Sequence, residues 1–119
     1  MEFDEVKERL ETMREKLDEM RGYLDIANRR ALLAELEEAA ARPDFWNDPN
    51  AAQEVIGKTN AQRAFVRPFD ELVRQIEDGE VMLELAVAEK EGEQRQQALA
   101  ELTNMFGKAD VMFSKLRLQ

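Results

Sequence analysis

The sequence predicts an all-α protein, an elongated antiparallel bundle or coiled coil of three to four helices. Three observations predict it. Phe3, Val6, Leu10, Met13, Leu17, Met20 and Leu24 recur in steps of three and four, the apolar seam of a helix that packs side by side with another. The chain is 44% hydrophobic and 36% charged, the balance of long amphipathic helices. It has only three prolines and five glycines, too few for the turns of a many-stranded sheet, and no segment reads as a strand. With 119 residues, it is expected to form a single helical domain over residues 1–119, large enough to bury a core.

The first helix is expected over about residues 3–21. Acids at Glu2, Asp4 and Glu5 suit its N-terminal end and Arg21 its C-terminal end. Gly22 fits the left-handed residue that closes a helix. After a turn through Tyr23 and Leu24, Asp25 is placed to cap a second helix with its side chain. Ile26, Leu33, Leu36 and Ala40 form that helix's apolar stripe, with Leu32 beside it, and Pro43 stops it because the residue before proline is pushed out of the helical region. With short turns throughout, neighbouring helices are expected to be antiparallel, the first with the second.

The next seven residues, Pro43-Asp44-Phe45-Trp46-Asn47-Asp48-Pro49, form a turn holding two large aromatics. Asp48-Pro49 is a helix start, an acid cap followed by a proline where no N–H is needed. The third helix is expected from Pro49 to about Val87, with Ala52, Val55, Ile56, Thr59, Val66, Phe69, Val73, Ile76, Leu83 and Val87 as its stripe. Pro68 lacks an N–H and crowds the carbonyl of Ala64, so a kink or a break is expected there. Gly79 weakens the helix by about 1 kcal/mol relative to alanine. Glu89 to Glu93 is read as a polar turn. A last helix carries Leu99, Leu102, Met105, Phe106, Ala109, Met112, Phe113 and Leu116.

The chain has no cysteine and no histidine. Disulfide scaffolds, zinc fingers, Ser-His-Asp and Cys-His catalysis and the Glu-x-x-His sites of di-iron bundles are thereby excluded. The carboxylates alternate with lysines and arginines, the pattern of a solvated helix face, and residues 89–93 lack the ligand spacing of a calcium loop. No catalytic residue, metal site, cofactor or small-molecule ligand is expected, and the chain is read as a binding protein. Residues 1–5 lack a cationic start and an apolar run, so no signal peptide is expected, and no run approaches the length of a membrane span. A net charge of −9 argues against a general nucleic-acid coat but allows a local basic patch.

Two features bear on binding. Arg21, Arg29 and Arg30 cluster around the first helix turn with only Asp25 opposing them locally. They read either as helix-end charge or as a contact for RNA or an acidic protein, made by one basic end of the bundle while the acidic end is held away. Phe45 and Trp46 read either as a binding hot spot or as a plug that closes one end of the bundle, and the plug is expected because aromatics in a tight turn fold back onto the core. The four methionines at positions 13, 20, 105 and 112 fall on the apolar stripes and read as core filling.

Arg21-Gly22-Tyr23-Leu24-Asp25 and Pro43-Asp44-Phe45-Trp46-Asn47-Asp48-Pro49, together with Leu83-Glu84-Leu85-Ala86, are more specific than periodicity. At these separations they resemble the N-terminal domain of the bacterial peptide chain release factor 2 family, over essentially the whole chain. The resemblance implies a cytoplasmic module of translation termination. Its partners would be the ribosome, at the stalk base of the large subunit, and the GTPase release factor 3. The family's Ser-Pro-Phe codon reader and Gly-Gly-Gln catalytic loop do not occur in this sequence, which is expected to correspond to the first domain without the codon-reading and catalytic domains, whether as an excised domain of a longer protein or a shortened relative, and to have no release activity alone. The competing function class is a structural coiled-coil protein that dimerises through the seam from Phe3 to Leu24. That alternative needs the seam free for a second chain, whereas a release-factor domain needs it buried within one chain.

Overall fold

The computed structural model describes residues 2–88 and 92–118. Among them the chain forms α1 (Phe3–Tyr23), α2 (Ile26–Ala40), a short 3-10 turn (Phe45–Asn47), α3 (Pro49–Ala88) and α4 (Glu93–Arg117), with no strand. The all-helical bundle expected from the apolar periodicity is what forms. Most of the expected polar turn, residues 89–91, lies outside the described residues.

The organising element is α3. Forty residues at about 1.5 Å of rise each make a rod of about 60 Å, and the molecule measures 64 × 26 × 18 Å. Asp48 starts it as the sequence indicates, its Oδ1 accepting the N–H groups of Asn50 and Ala51 at 3.2 Å. Of the kink or break expected at Pro68, the break does not occur: the helix continues through it. A proline removes a single N–H, and here Val66 and Phe69 on either side are buried at 4% and 0% exposure, so tertiary packing holds the segment helical.

The other helices line up on this rod. Arg14 of α1 meets Glu80 and Arg21 overlies Phe69, so α1 runs antiparallel to the C-terminal half of α3. In α2, Arg30 meets Asp70 and Glu37 meets Arg63, so α2 runs antiparallel to the N-terminal half. The first two helices therefore follow one another along α3 and do not form the antiparallel hairpin expected of them. The cause is the junction. Gly22 is an ordinary helical residue, α1 continues to Tyr23, and Leu24 is buried. The single left-handed residue among those described is Asp25, at φ 58°, ψ 46°. An N-cap needs an extended backbone, so the Asp25 carboxylate caps nothing and instead accepts the Asn28 side-chain amide at 2.9 and 3.0 Å. One left-handed residue redirects the chain without reversing it.

Helix α4 folds back beside α3 and beside α1, with Arg95 over the Phe3 ring and Lys16 over the Phe113 ring. One half of the molecule is thus a three-helix bundle of α1, α4 and the C-terminal half of α3. Its core joins Val6, Leu10, Met13, Leu17 and Met20 to Phe69, Leu72 and Ile76 and to Leu99, Leu102, Phe106, Ala109, Phe113 and Leu116. The other half is a two-helix hairpin of α2 and the N-terminal half of α3, with a thin core of Leu36, Ala52, Thr59 and Val66. Leu33 is therefore only half-buried, and Leu32 and Ala40 are exposed. Because the α1 seam is filled by α3 and α4, it is not free to receive a second chain, which removes the surface that the coiled-coil dimer requires.

Candidate functional site

The three arginines singled out in the sequence come together, but not at an end of the molecule. Because α1 and α2 are strung along α3, the junction between them faces residues 62–70, the middle of the rod. Arg29 is built into this waist. Its Nε donates to the carbonyl of Leu24 at 2.6 Å, its Nη1 donates to Gln62 Oε1 at 3.2 Å, and its guanidinium lies 3.7 Å from the centre of the Phe65 ring. It thereby satisfies a carbonyl left open where α1 ends and ties the junction to α3.

Arg30 and Arg21 are more exposed. Arg30 grips the Asp70 carboxylate with both terminal nitrogens, one contact being 2.9 Å. That hydrogen bond raises the Arg30 guanidinium above its ordinary pKa. Arg21 lies 4.0 Å from Asp18 and 5.3 Å from the Phe69 ring centre, with about half of its side chain in solvent. Asp25 is therefore not the only acid opposing the cluster: Asp18 and Asp70 face it as well.

Two basic residues were missed by sequence reading. Arg63 and Arg67 line a shallow groove with Arg30, Leu33, Val66 and Asp70. Arg63 binds Glu37 at 3.1 Å, while Arg67 is exposed and makes no ion pair with the described residues. Their spacing of four placed both on one face of α3, but joining them to Arg30 depends on the α2–α3 register, which no local pattern carries. The waist is a mixed surface of arginines and a few carboxylates on an otherwise acidic body.

The aromatic turn departs from expectation more sharply. Trp46 does not plug the bundle: it is 64% exposed. Phe45 takes the inward position, half-buried, with its ring edge-on to the indole at 4.9 Å and 79°. Adjacent residues of a tight turn point apart, so only one of the two can fold inward.

Among the described residues, no group of three or more Asp or Glu side chains is placed to hold a metal ion, and no helix is long and apolar enough to cross a membrane. The carboxylates that cross between helices are matched by arginines, as in Arg9–Asp110, Arg14–Glu80, Arg30–Asp70 and Arg63–Glu37. These pairs tie the helices to one another.

No protein-family model matches the chain. Curated proteins do. It is 37% identical over 97 residues to peptide chain release factor 2 of an Exiguobacterium species, which covers 82% of this chain and 26% of that protein. It is 39% identical over 93 residues to the release factor 2 of Staphylococcus haemolyticus, with 78% of this chain and 25% of that protein covered. The match to Staphylococcus aureus release factor 2 is 32% over 110 residues, 92% of this chain and 30% of that protein. The chain spans about a quarter of the length of these relatives. It is thus a relative of peptide chain release factor 2 by sequence, a helical chain that matches about a quarter of that factor.

Proposed function

We propose that this chain acts in translation termination in the cytoplasm, as the N-terminal ribosome-contacting domain of a release factor 2-like protein, with residues 1–119 working as one unit. The observation that carries the reading is the identity of 32–39% to release factor 2 over 78–92% of the chain. The role is to dock and position. The Ser-Pro-Phe and Gly-Gly-Gln tripeptides are absent from the sequence, so the chain does not read a codon or hydrolyse peptidyl-tRNA. Purified chain added to ribosomes programmed with a stop codon and carrying labelled peptidyl-tRNA is expected to release no peptide above background. Codon-dependent release would overturn that statement.

The docking surface proposed is the waist, with Arg21, Arg29 and Arg30 turned toward the stalk base of the large subunit and release factor 3 acting in the same neighbourhood. The acidic stretch from Glu77 to Glu101 would be repelled by ribosomal RNA and is held away from it. Arg29 is committed to the fold, so the testable members are Arg21 and Arg30. The chain is expected to co-sediment with purified large subunits at low salt and to lose affinity as salt rises. Exposed charges of this kind are worth about 1 kcal/mol each, so Arg21→Glu and Arg30→Glu together should weaken binding by about 30-fold. Losing the Arg30–Asp70 pair should lower the melt by about 4 °C, which Asp70→Ala reproduces without reversing a docking charge. Absence of parental co-sedimentation at every salt concentration would overturn the ribosome reading, and unchanged binding by the double variant would overturn the choice of surface.

A further inference from the structure

Trp46 lies away from the arginine waist and is the largest exposed apolar side chain among the described residues. It sits on a turn that is fixed on every side. Pro43 and Pro49 restrict the backbone at both ends. The Phe45 N–H donates to the Arg42 carbonyl at 3.1 Å and the Asn47 N–H to the Asp44 carbonyl at 3.0 Å. Asp48 caps α3, and the Phe45 ring stands against the indole. The indole is therefore a convex anchor already held in place, which lowers the ordering cost of binding. Nothing in the core uses it, because Phe45 fills the inward position.

The surroundings of the indole select its partner. Residues 37–54 carry five acids, Glu37, Glu38, Asp44, Asp48 and Glu54, and a single base, Arg42. Glu37 and Glu54 are neutralised by Arg63 and Lys58, each at 3.1 Å. Glu38, Asp44 and Asp48 make no ion pair with the described residues and leave the tip negative. An aromatic that stacks on nucleic-acid bases works within a basic groove, and this tip is the reverse. An exposed indole on a segment with a net negative charge matches an apolar cleft rimmed by lysine or arginine on a protein.

We propose that Trp46 is the anchor of a second docking point, at the tip of the α2–α3 hairpin, and that it inserts into an apolar, basic-rimmed cleft of a ribosomal protein. The tip lies about 15 Å along α2 from Arg30 of the arginine waist, far enough to be a separate contact. The inference rests on the ribosome reading for the identity of the particle that carries the cleft.

Trp46 is the only tryptophan in the chain, so 5-fluorotryptophan labelling gives a single fluorine resonance. Titration of the labelled chain with purified large subunits is expected to broaden that resonance saturably. Trp46→Ala should weaken co-sedimentation by at least about tenfold, as for an interface hot spot, with an unchanged melt because the side chain is exposed. Trp46→Phe should lose less. Glu38→Lys combined with Asp44→Lys should weaken binding further if the rim is basic. Strengthened binding by that double variant would identify RNA as the partner and overturn the proposal. Parental binding by Trp46→Ala would overturn the anchor while leaving the ribosome reading intact. No association of the parent would remove both.

Discussion

Leu17→Ala is expected to destabilise the chain by about 2–5 kcal/mol. Leu17 is fully buried at the middle of the α1 seam, in a core that draws on three helices at once. Truncation removes its buried methyl groups and leaves a cavity. The neighbours cannot readily close it, because α1 is tied along its length by Arg9–Asp110, Arg14–Glu80 and the Arg29–Leu24 hydrogen bond. For a domain of this size, each 1 kcal/mol moves the melting temperature by about 4 °C, so a fall of about 8–20 °C is expected by circular dichroism. Leu32→Ala is the matched control. Leu32 lies on the exposed side of α2, and its truncation should change the melt by no more than about 2 °C. Equal melts for the two variants would mean that the seam does not form the core.

The seam was legible in the sequence for the same reason that it matters. A helix buried against two others needs an apolar residue at every turn, and α1 and α4 both supply one. The α2 stripe was written with the same periodicity, yet Ala40 and Leu32 are exposed and Leu33 is half-buried. A stripe tells which face is apolar and not how many partners arrive to cover it; here α4 lies along the other half of α3. On α3 itself, Leu72 and Ala86 are buried where sequence reading did not place them, and Val87, which it did place, is 62% exposed. Over forty residues the buried face follows whichever helices are adjacent, so no single stripe holds its register from end to end.

The junction at residues 22–25 shows a different limit. Gly22 and Asp25 both carry the residue types of helix ends, and both were assigned the roles those types most often play. The left-handed position falls instead on Asp25, three residues after Gly22, because Leu24 is drawn into the core and the chain turns only after it. That shift decides whether α1 and α2 fold back on one another or run on along α3, and hence whether Arg21, Arg29 and Arg30 lie at an end or at the waist. The three arginines were visible because they are close in sequence. Their partners Gln62 and Asp70 lie 33 and 40 residues away and appear only once the α2–α3 register is set.

Gly79→Leu is expected to cost at least about 2–3 kcal/mol, although glycine is a poor helix former and almost any replacement raises helix propensity. The sequence presents Gly79 as a weak point in α3. In the fold it is buried, with side chains of both α1 and α4 packed against it. A Cβ built there would stand 2.7 Å from Met105 Cε, 3.3 Å from Leu10 Cδ1 and 3.3 Å from Leu102 Cδ2. These atoms belong to two different helices, so a larger side chain must push on both. Gly79→Ala tests the balance. Its closest conflict is with the terminal methyl of Met105, a flexible and partly exposed side chain that can swing away, and the two leucines need give only a few tenths of an ångström. The gain of about 1 kcal/mol in helix propensity then offsets the crowding, and the alanine variant should melt within about 4 °C of the parent. The leucine variant adds three more carbons with no space to enter, and should melt about 8–12 °C lower. Combining Gly79→Leu with Met105→Ala removes the nearest obstacle and should recover part of that loss, because residues in contact do not act independently. A leucine variant as stable as the alanine variant would show that α1 and α4 do not close over α3 at this point.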